Sequence, residues 1–334
     1  MNNYLLTIAV PTYNGAKTIR DMLDILLPQV NEKVEVLVSD NCSNDETPDI
    51  IAEYKAKYPF INCIKNESNV GADGNFLQCM LLAKGEYVML ISDDDIITEN
   101  AVDKILSFLE NNQDVSLAYL ESVAFKDKYL GVDKCHGYKY LTEVEDSFAT
   151  QDKAEFIKYC LRLFGFTSSY IWSTKRIREI IDPKQYFGTY FMQAYICILC
   201  SNRSDDKLGV IKGPCIAVGE YGIIGNYDMA EVEGIYYHRM MNFAIKSGYP
   251  EKPLKEFYLW KIIKLCRNNI IKERAVGQKK TSVKNIWRAT YKYPKAWFLL
   301  YPFLLLPPFA CKMVLSVVRK IQGRRFSSRV NRPT

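Results

Sequence analysis

Over the first 125 positions, hydrophobic and polar residues fall into two alternating patterns. Short apolar runs at 4–10 (YLLTIAV), 34–39 (VEVLVS), 60–65 (FINCIK), 87–91 (YVMLI) and 117–125 read as strands. Between the first two runs, Ile19, Met22, Leu23, Leu26 and Leu27 recur at helical spacing and predict a helix over 16–29. A second helix over 47–58 opens with Thr47 and Pro48, proline being well placed in a first turn. A third covers 75–83 and ends before Gly85, and a fourth covers 101–109. Strands alternating with helices predict an α/β fold with a doubly wound, mostly parallel sheet.

Beyond residue 125 the pattern weakens. Residues 126–150 are polar with little periodicity and read as a loop. A helix at 152–164, a turn at 165–169, an inner strand at 170–173, an apolar helix at 189–200, a strand at 208–218 and a helix at 231–247 follow. From 255 to 271, Trp260, Ile263, Ile270 and Ile271 alternate with Lys261, Lys264 and Arg267, as in an amphipathic helix. Ala296 to Cys311 is a run of 16 residues without a charge. It is shorter than the roughly 20 apolar residues a spanning helix needs, and Pro302, Pro307 and Pro308 interrupt it. Trp297, Phe298 and Tyr301 sit where interfacial anchors belong, and Arg319, Lys320, Arg324, Arg325, Arg329 and Arg332 follow. An apolar wedge before a polybasic tail predicts a helical extension lying in the inner leaflet of a membrane. The expected division is a body over 1–250, with halves at 1–125 and 126–250, and a basic region over 251–334.

Charge sharpens this division. The net charge of the 334 residues is +6, but 251–334 holds 20 Lys and Arg against three Glu, so residues 1–250 are acidic overall. Such segregation predicts an anionic partner for the carboxyl-terminal region, and the apolar run inside it favours an anionic membrane surface over nucleic acid. The start, Met1-Asn2-Asn3-Tyr4, lacks a basic segment followed by an apolar one, so the body is expected on the cytoplasmic face, peripheral to the membrane. Ten cysteines are scattered, and only Cys197 and Cys200 are closely spaced, within an apolar run. They read as buried thiols rather than a metal or redox site.

The densest chemistry lies at Asp93-Asp94-Asp95, directly after the apolar run 87–91. Adjacent carboxylates repel, so they call for exposure or a neutralising cation, and their hard oxygens suit magnesium or manganese. A cation held there can hold a diphosphate. Polar loops at 12–15 and 40–45 also leave the carboxyl ends of strands, and a parallel sheet puts all three loops on one edge, where α/β folds bind ligands.

Four of these stretches, VPTYN at 10–14, VSDNCSNDET at 38–47, NVG at 69–71 and LISDDDI at 90–96, resemble the family 2 glycosyltransferases of the GT-A fold. Among these the bacterial members that build O-antigens and capsules, the abequosyltransferase-like group, are the most similar. The resemblance covers about the first 125 residues. It implies an inverting, metal-dependent transfer of a sugar from a nucleotide-sugar donor to a lipid-linked (polyprenyl-diphosphate) glycan. It also implies roles. Pro11, Thr12 and Tyr13 would line the base pocket, and Asp40 would accept a hydrogen bond from the base. Gly71 would let the backbone approach the nucleotide. Asp93 and Asp94 would touch the nucleotide sugar, and Asp93 and Asp95 would bind manganese or magnesium. The family form is Asp-x-Asp-Asp, and Ser92 stands where its first Asp would be.

A second departure concerns the general base. The family carries it in a Glu-Asp pair at the start of a helix in the second half. The comparable stretch here is Tyr190-Phe191-Met192-Gln193-Ala194, without a carboxylate. Asp182 and Glu220 are the nearby carboxylates, and His136 and His238 are the only histidines. The gap keeps a second reading open, a non-catalytic, membrane-bound assembly factor with a degenerate transferase fold. A nicotinamide-dependent oxidoreductase is excluded, because the first strand leads into Pro-Thr-Tyr-Asn-Gly and not a G-x-G-x-x-G turn.

Overall fold

A computed structural model describes residues 4–137, 144–161, 164–219, 228, 230–275, 277 and 282–317. The elements of the first half are β1 (Leu6–Thr12), α1 (Ile19–Leu26), β2 (Val34–Asp40), α2 (Thr47–Lys57), β3 (Asn62–Lys65), α3 (Gly71–Leu82) and β4 (Tyr87–Leu90). They are followed by β5 (Ile96–Ile97), α4 (Ala101–Asn111) and β6 (Val115–Phe125). Then come β7 (His136–Gly137), β8 (Phe148–Thr150), α5 (Lys153–Cys160), β9 (Tyr170–Ser173), α6 (Thr174–Arg178), α7 (Met192–Cys200), β10 (Lys207–Gly219) and α8 (Tyr237–Lys246). The expected α/β alternation is present. β1 and β2 are buried at every position, as parallel strands covered on both faces must be, and α1 buries Ile19, Met22, Leu23 and Leu26.

The described strands form one sheet in the order β3-β2-β1-β4-β9-β6-β10-β5, with β7 on β6 and β8 on β10. β1 pairs in parallel with β2 and β4, and β2 with β3. The sheet is mixed rather than doubly wound throughout, because β9 lies antiparallel between β4 and β6. Residues 170–173 are thus the expected inner strand, but reversed in direction. The stretch read as a loop over 126–150 contributes two short strands, β7 and β8. Backbone pairing to β6 and β10 supplies there the order that side-chain periodicity did not signal.

One further difference bears on the site. α3 starts at Gly71, four residues before the expected Asn75. Gly71 has φ +79, which favours glycine, and its N–H donates to Asn69 Oδ1 at 2.8 Å.

Two compact units divide the chain, residues 1–223 with 243–250 and residues 224–242 with 251–334. In the second unit are a π-helical turn at Ala230–Tyr236, α9 (Glu251–Ala275), α10 (Val283–Thr290), α11 (Pro294–Leu299), α12 (Tyr301–Leu305) and α13 (Pro308–Val317). The apolar run 296–311 is therefore a set of short helices. The pair Pro294–Leu305 and Pro308–Val317 is bent by 113°, and no single described helix is long and apolar enough to cross a membrane. The basic tail from Arg319 to Arg332 lies outside the described residues.

Candidate active site

Register brings the site together. Thr12 pairs with Asp40 across β1 and β2, and Ala9 pairs with Leu90 across β1 and β4. Three residues beyond that second pair, Thr12 and Asp93 come alongside one another, and Thr12 Oγ1 donates to Asp93 Oδ2. Gly15 completes the contact. A Cβ on Gly15 would collide with both the Asp93 carboxylate and the Thr12 hydroxyl, so only glycine lets the first loop close over the acid.

The first and second loops are tied side chain to backbone. Asn14 N–H donates to Ser43 Oγ at 2.9 Å, and Asn44 N–H returns a bond to Asn14 Oδ1 at 2.8 Å. Asp45 accepts from Ala16 N–H at 3.2 Å and from the Thr47 hydroxyl at 2.6 Å. Burial pushes the Asp45 carboxyl up, but these donors outweigh it, and its pKa is lowered. Asn41 fixes the third loop. Its amide donates to Asn69 Oδ1 and to the Gly71 carbonyl, and its oxygen accepts from Asn66 Nδ2 and from Val70 N–H, each at 3.0 Å.

Asp40 is 2 % exposed. Its Oδ1 accepts from Ser43 N–H at 3.0 Å, while its buried Oδ2 has no hydrogen-bond partner among the described residues. A buried carboxylate oxygen is costly to leave unpaired, by about 1–3 kcal/mol, so this atom can accept a further donor. Tyr13 is 46 % exposed, an apolar ring left open on the same edge.

The three aspartates have different environments. Asp95 is 2 % exposed, and both its oxygens are held, Oδ2 by the Ser168 hydroxyl at 2.6 Å and Oδ1 by Gly219 N–H at 3.1 Å. Ser168 Oγ also accepts from Ser92 N–H at 3.1 Å, so one hydroxyl fixes the loop at both ends. Burial, with Asp94 and Asp93 nearby, pushes the Asp95 carboxyl up to about 7. Asp93 is pushed up to about 6 by burial and Asp94, against the Thr12 bond. Asp94 is raised by burial. Asp93 and Asp94 keep partial exposure.

Among the described residues no three or more His, Cys, Asp or Glu side chains are grouped to hold a metal alone. Magnesium is commonly held by one or two carboxylates together with substrate phosphates. Asp93 and Asp94, partly exposed and destabilised as anions, fit such a shared site. The expected pair was Asp93 with Asp95. Both Asp95 oxygens also accept protein hydrogen bonds, which leaves each a second lone pair.

Asp182 is exposed, in a left-handed turn before Pro183, and makes no hydrogen bond to the three loops. Glu220 lies outside the described residues. His136 is exposed in β7, and His238 contacts the Tyr293 hydroxyl at 3.2 Å within the second unit. Cys197 and Cys200 are buried free thiols, as expected. Gln193 stands in the first turn of α7 and donates to the Gly165 carbonyl at 2.7 Å. A carboxylate that sequence reasoning missed, Asp73 in the first turn of α3, accepts from Gly188 N–H at 2.8 Å, and burial raises its pKa. Ser168, Asn41 and Gly15 were missed as well. Only Gly15 carried a signal, as a glycine two residues after Tyr13 in a strand-end loop.

The sheet edge thus offers an open aromatic ring, a buried carboxylate oxygen without a partner among the described residues and two partly exposed acids, and the α/β fold is shared with solved GT-A glycosyltransferases. Residues 7–160 match the family model described as glycosyl transferase family 2. A curated relative, abequosyltransferase RfbV of Salmonella typhimurium, is 25 % identical over 225 residues, which is 64 % of this chain and 66 % of that protein. The chain thus spans just under two thirds of this relative, and 34 % of uncharacterised protein Rv1520 of Mycobacterium tuberculosis, to which it is 33 % identical over 117 residues, 34 % of this chain. Among solved structures, S. aureus TarS 1–349 in complex with UDP-GlcNAc aligns with a TM-score of 0.59 at 17 % identity, covering 87 % of this chain and 81 % of that one. At that identity the likeness concerns the fold alone.

Proposed function

We propose that this chain is a glycosyltransferase moving a sugar from a nucleoside-diphosphate sugar to a lipid-linked glycan in bacterial cell-surface polysaccharide synthesis. The observation that carries the reading is the buried Asp40 carboxylate, whose Oδ2 lacks a partner among the described residues on the edge that also presents Tyr13, Asp93 and Asp94. In this reading the Tyr13 ring stacks on the base, and Asp40 Oδ2 accepts from a ring or exocyclic N–H. Gly71 leaves open space where a side chain would stand, so the nucleotide can lie against α3. Asp93 and Asp94 would hold manganese or magnesium together with the donor's phosphates. Such a cation would supply positive charge for the leaving diphosphate. Thr12 and Gly15 keep the Asp93 carboxylate in one place, and the Ser168–Asp95 bond keeps the loop from swinging. Direct attack by the acceptor hydroxyl inverts the anomeric centre. The relatives named above support this reading, one by its name, an abequosyltransferase, and one by its bound UDP-GlcNAc. The mannosyltransferase PcManGT from Pyrobaculum calidifontis was solved with GDP-Man and Mn2+, and at 15 % identity and a TM-score of 0.52 it covers 96 % of this chain and 80 % of its own, which favours a divalent cation here.

The acceptor side supports a second reading. The first turn of α7 offers Gln193 and no carboxylate, as a binding-only assembly factor would permit. One experiment separates the two. Nucleotide sugars are screened by thermal shift with and without manganese, and each binder is then tested for release of its nucleoside diphosphate. Binding with metal-dependent release is expected. No shift with any nucleotide sugar would overturn both readings. Binding without turnover, with glycan acceptor present, would favour the assembly factor.

A further inference from the structure

The carboxyl-terminal helices carry two faces of opposite character. Their inner face is packed within the second unit. Ala296, Leu300 and Cys311 are buried, Cys311 clusters with Ile271 and Ala275 of α9, and Arg274 donates to the Leu306 carbonyl at 2.7 Å. The segment is therefore part of the fold and not a loose strap. Its outer face is apolar and exposed. Phe298 is 78 % exposed and Leu305 84 %, with Phe309 and Met313 similarly open. Helices that bury one side and leave large apolar groups on the other mark an interaction surface.

Charge says what covers that surface. Residues 283–317 contain no Asp or Glu, while Lys284, Arg288, Lys292, Lys295 and Lys312 are all exposed. Along α10 and its end, Val283, Trp287 and Tyr291 recur every fourth position, and each is followed by a cation, Lys284, Arg288 and Lys292. An apolar stripe thus lies beside a basic one. Trp287 stacks on Trp297 with ring centroids 6.2 Å apart and on Tyr291 at 6.2 Å. Amphipathic rings grouped at the boundary of a basic and an apolar surface suit the headgroup level of a bilayer.

Length says how deep it goes. At about 1.5 Å per residue, Pro294–Leu305 and Pro308–Val317 each extend less than about 20 Å, against a hydrocarbon core of about 30 Å. The 113° bend between them turns the chain back. We propose that residues 283–317 form a monotopic insertion into one leaflet of an anionic bilayer. Phe298, Leu305, Phe309 and Met313 enter the acyl boundary, and the Trp287–Trp297 pair and the Lys284/Arg288/Lys292 stripe lie at the headgroups. This deepens the lipid-linked acceptor reading, but its test does not depend on sugar transfer.

The test is flotation of the full chain with phosphatidylcholine vesicles, with and without phosphatidylglycerol, at low and at molar salt. The expected result is binding to the anionic vesicles that persists in part at high salt, where surface attraction is screened and the apolar contact remains. In the variant Phe298→Ser/Leu305→Ser/Phe309→Ser/Met313→Ser the salt-resistant fraction is lost, while thermal shift by a nucleotide sugar is unchanged. Complete release of the wild type by salt would assign binding to charge alone and overturn the insertion, as would a variant that floats like the wild type. A second measurement uses the native chain, so it does not depend on how the variant folds. Brominated lipids with bromines near the headgroups are expected to quench its tryptophan fluorescence, and no quenching overturns the proposal. Dimer formation in vesicle-free solution that is lost in the variant would give the face to a second copy instead. Unchanged lipid binding without any nucleotide response would count against sugar transfer and leave the insertion standing.

Discussion

The two halves of the sheet hold their polar groups in different ways, and the Asp triplet lies on the seam between them. In the β3-β2-β1-β4 half, each strand-end loop is fixed by the loop of the neighbouring parallel strand. Ser43 bonds Asn14, Asn41 bonds Asn69, and Thr12 bonds Asp93. In the β9-β6-β10 half, order comes from distant, partly antiparallel pieces, and Asp95 takes its partners from there, Ser168 and Gly219. Asp93 is thus part of the first half and Asp95 part of the second. The lesson is a division of labour within three consecutive residues. Asp93, bonded within the first half, keeps partial exposure, and Asp95, held by donors of the second half, is buried.

The sharpest way to break that comparison is to replace the acids separately. Asp93→Asn/Asp94→Asn is expected to lower transfer by about 10³-fold or more, the scale of losing electrostatic stabilisation of a leaving group. Its melting temperature should stay level or rise, because two destabilised anions are gone. If the double variant keeps near-normal transfer in a metal-dependent assay, the open acids are not the cation site.

A pH series comes next. In the folded chain Asp95 is pushed up to about 7 and Asp93 to about 6, while in the unfolded chain both return to the ordinary value near 3.8. Between those values the folded form keeps protons that the unfolded form has released. Stability therefore falls as pH rises from about 4 to about 7, and beyond that window the deficit is constant. Differential scanning calorimetry should show a lower melting temperature at about pH 8 than at about pH 5.5, by an amount worth a few kcal/mol at most. Manganese with a nucleoside diphosphate should narrow that gap. Equal melting temperatures at both pH values for the apo chain would remove the argument that burial strains these acids.

Ser168→Ala tests the seam from the other side. It leaves a buried carboxylate oxygen of Asp95 short of a donor, which costs about 1–3 kcal/mol. For a domain of this size that is a fall of roughly 2–4 °C per kcal/mol in melting temperature. Donor affinity should weaken less than stability does. A variant as stable as the wild type, but with transfer abolished, would make Ser168 a chemical group and not a clamp.

What was legible in the sequence follows the same division. The apolar run before Asp93 predicted a strand with acids at its carboxyl end, and the local βα rhythm predicted that loops 12–15, 40–45 and 93–95 would share an edge. Those inferences need only neighbouring residues and the parallel rule. The direction of β9 was not legible, because a four-residue apolar strand reads the same both ways. The Asp95–Ser168 bond joins residues 73 apart in sequence, and no local pattern announces it. The asparagine cluster around Asn41 was hidden for another reason. Asn in a loop reads as a turn residue, and only the fold shows that its amide spans two loops.

Asp73 gives the smallest and most discriminating effect. It stands at the start of α3 in the β3-β2-β1-β4 half, yet it holds Gly188, in the stretch leading to α7 of the other half. Residues 188–190 are conformationally special, with Gly188 at φ +70 and Tyr190 at φ 62, and the Asp73 bond adds to the turn bonds that Thr189 makes to the Tyr186 carbonyl. Asp73→Asn keeps an acceptor oxygen but loses the charge, and a hydrogen bond to a charged group is stronger than its neutral counterpart by about 1 kcal/mol. The expected result is a severalfold rise in KM for the acceptor, with donor affinity by calorimetry and kcat at saturating acceptor nearly unchanged. The split between KM and kcat decides the role. A collapse of kcat with KM unchanged would mean that Asp73 takes the acceptor proton, supplying from α3 the base that the first turn of α7 lacks, and the two halves would then share the chemistry as well as the seam.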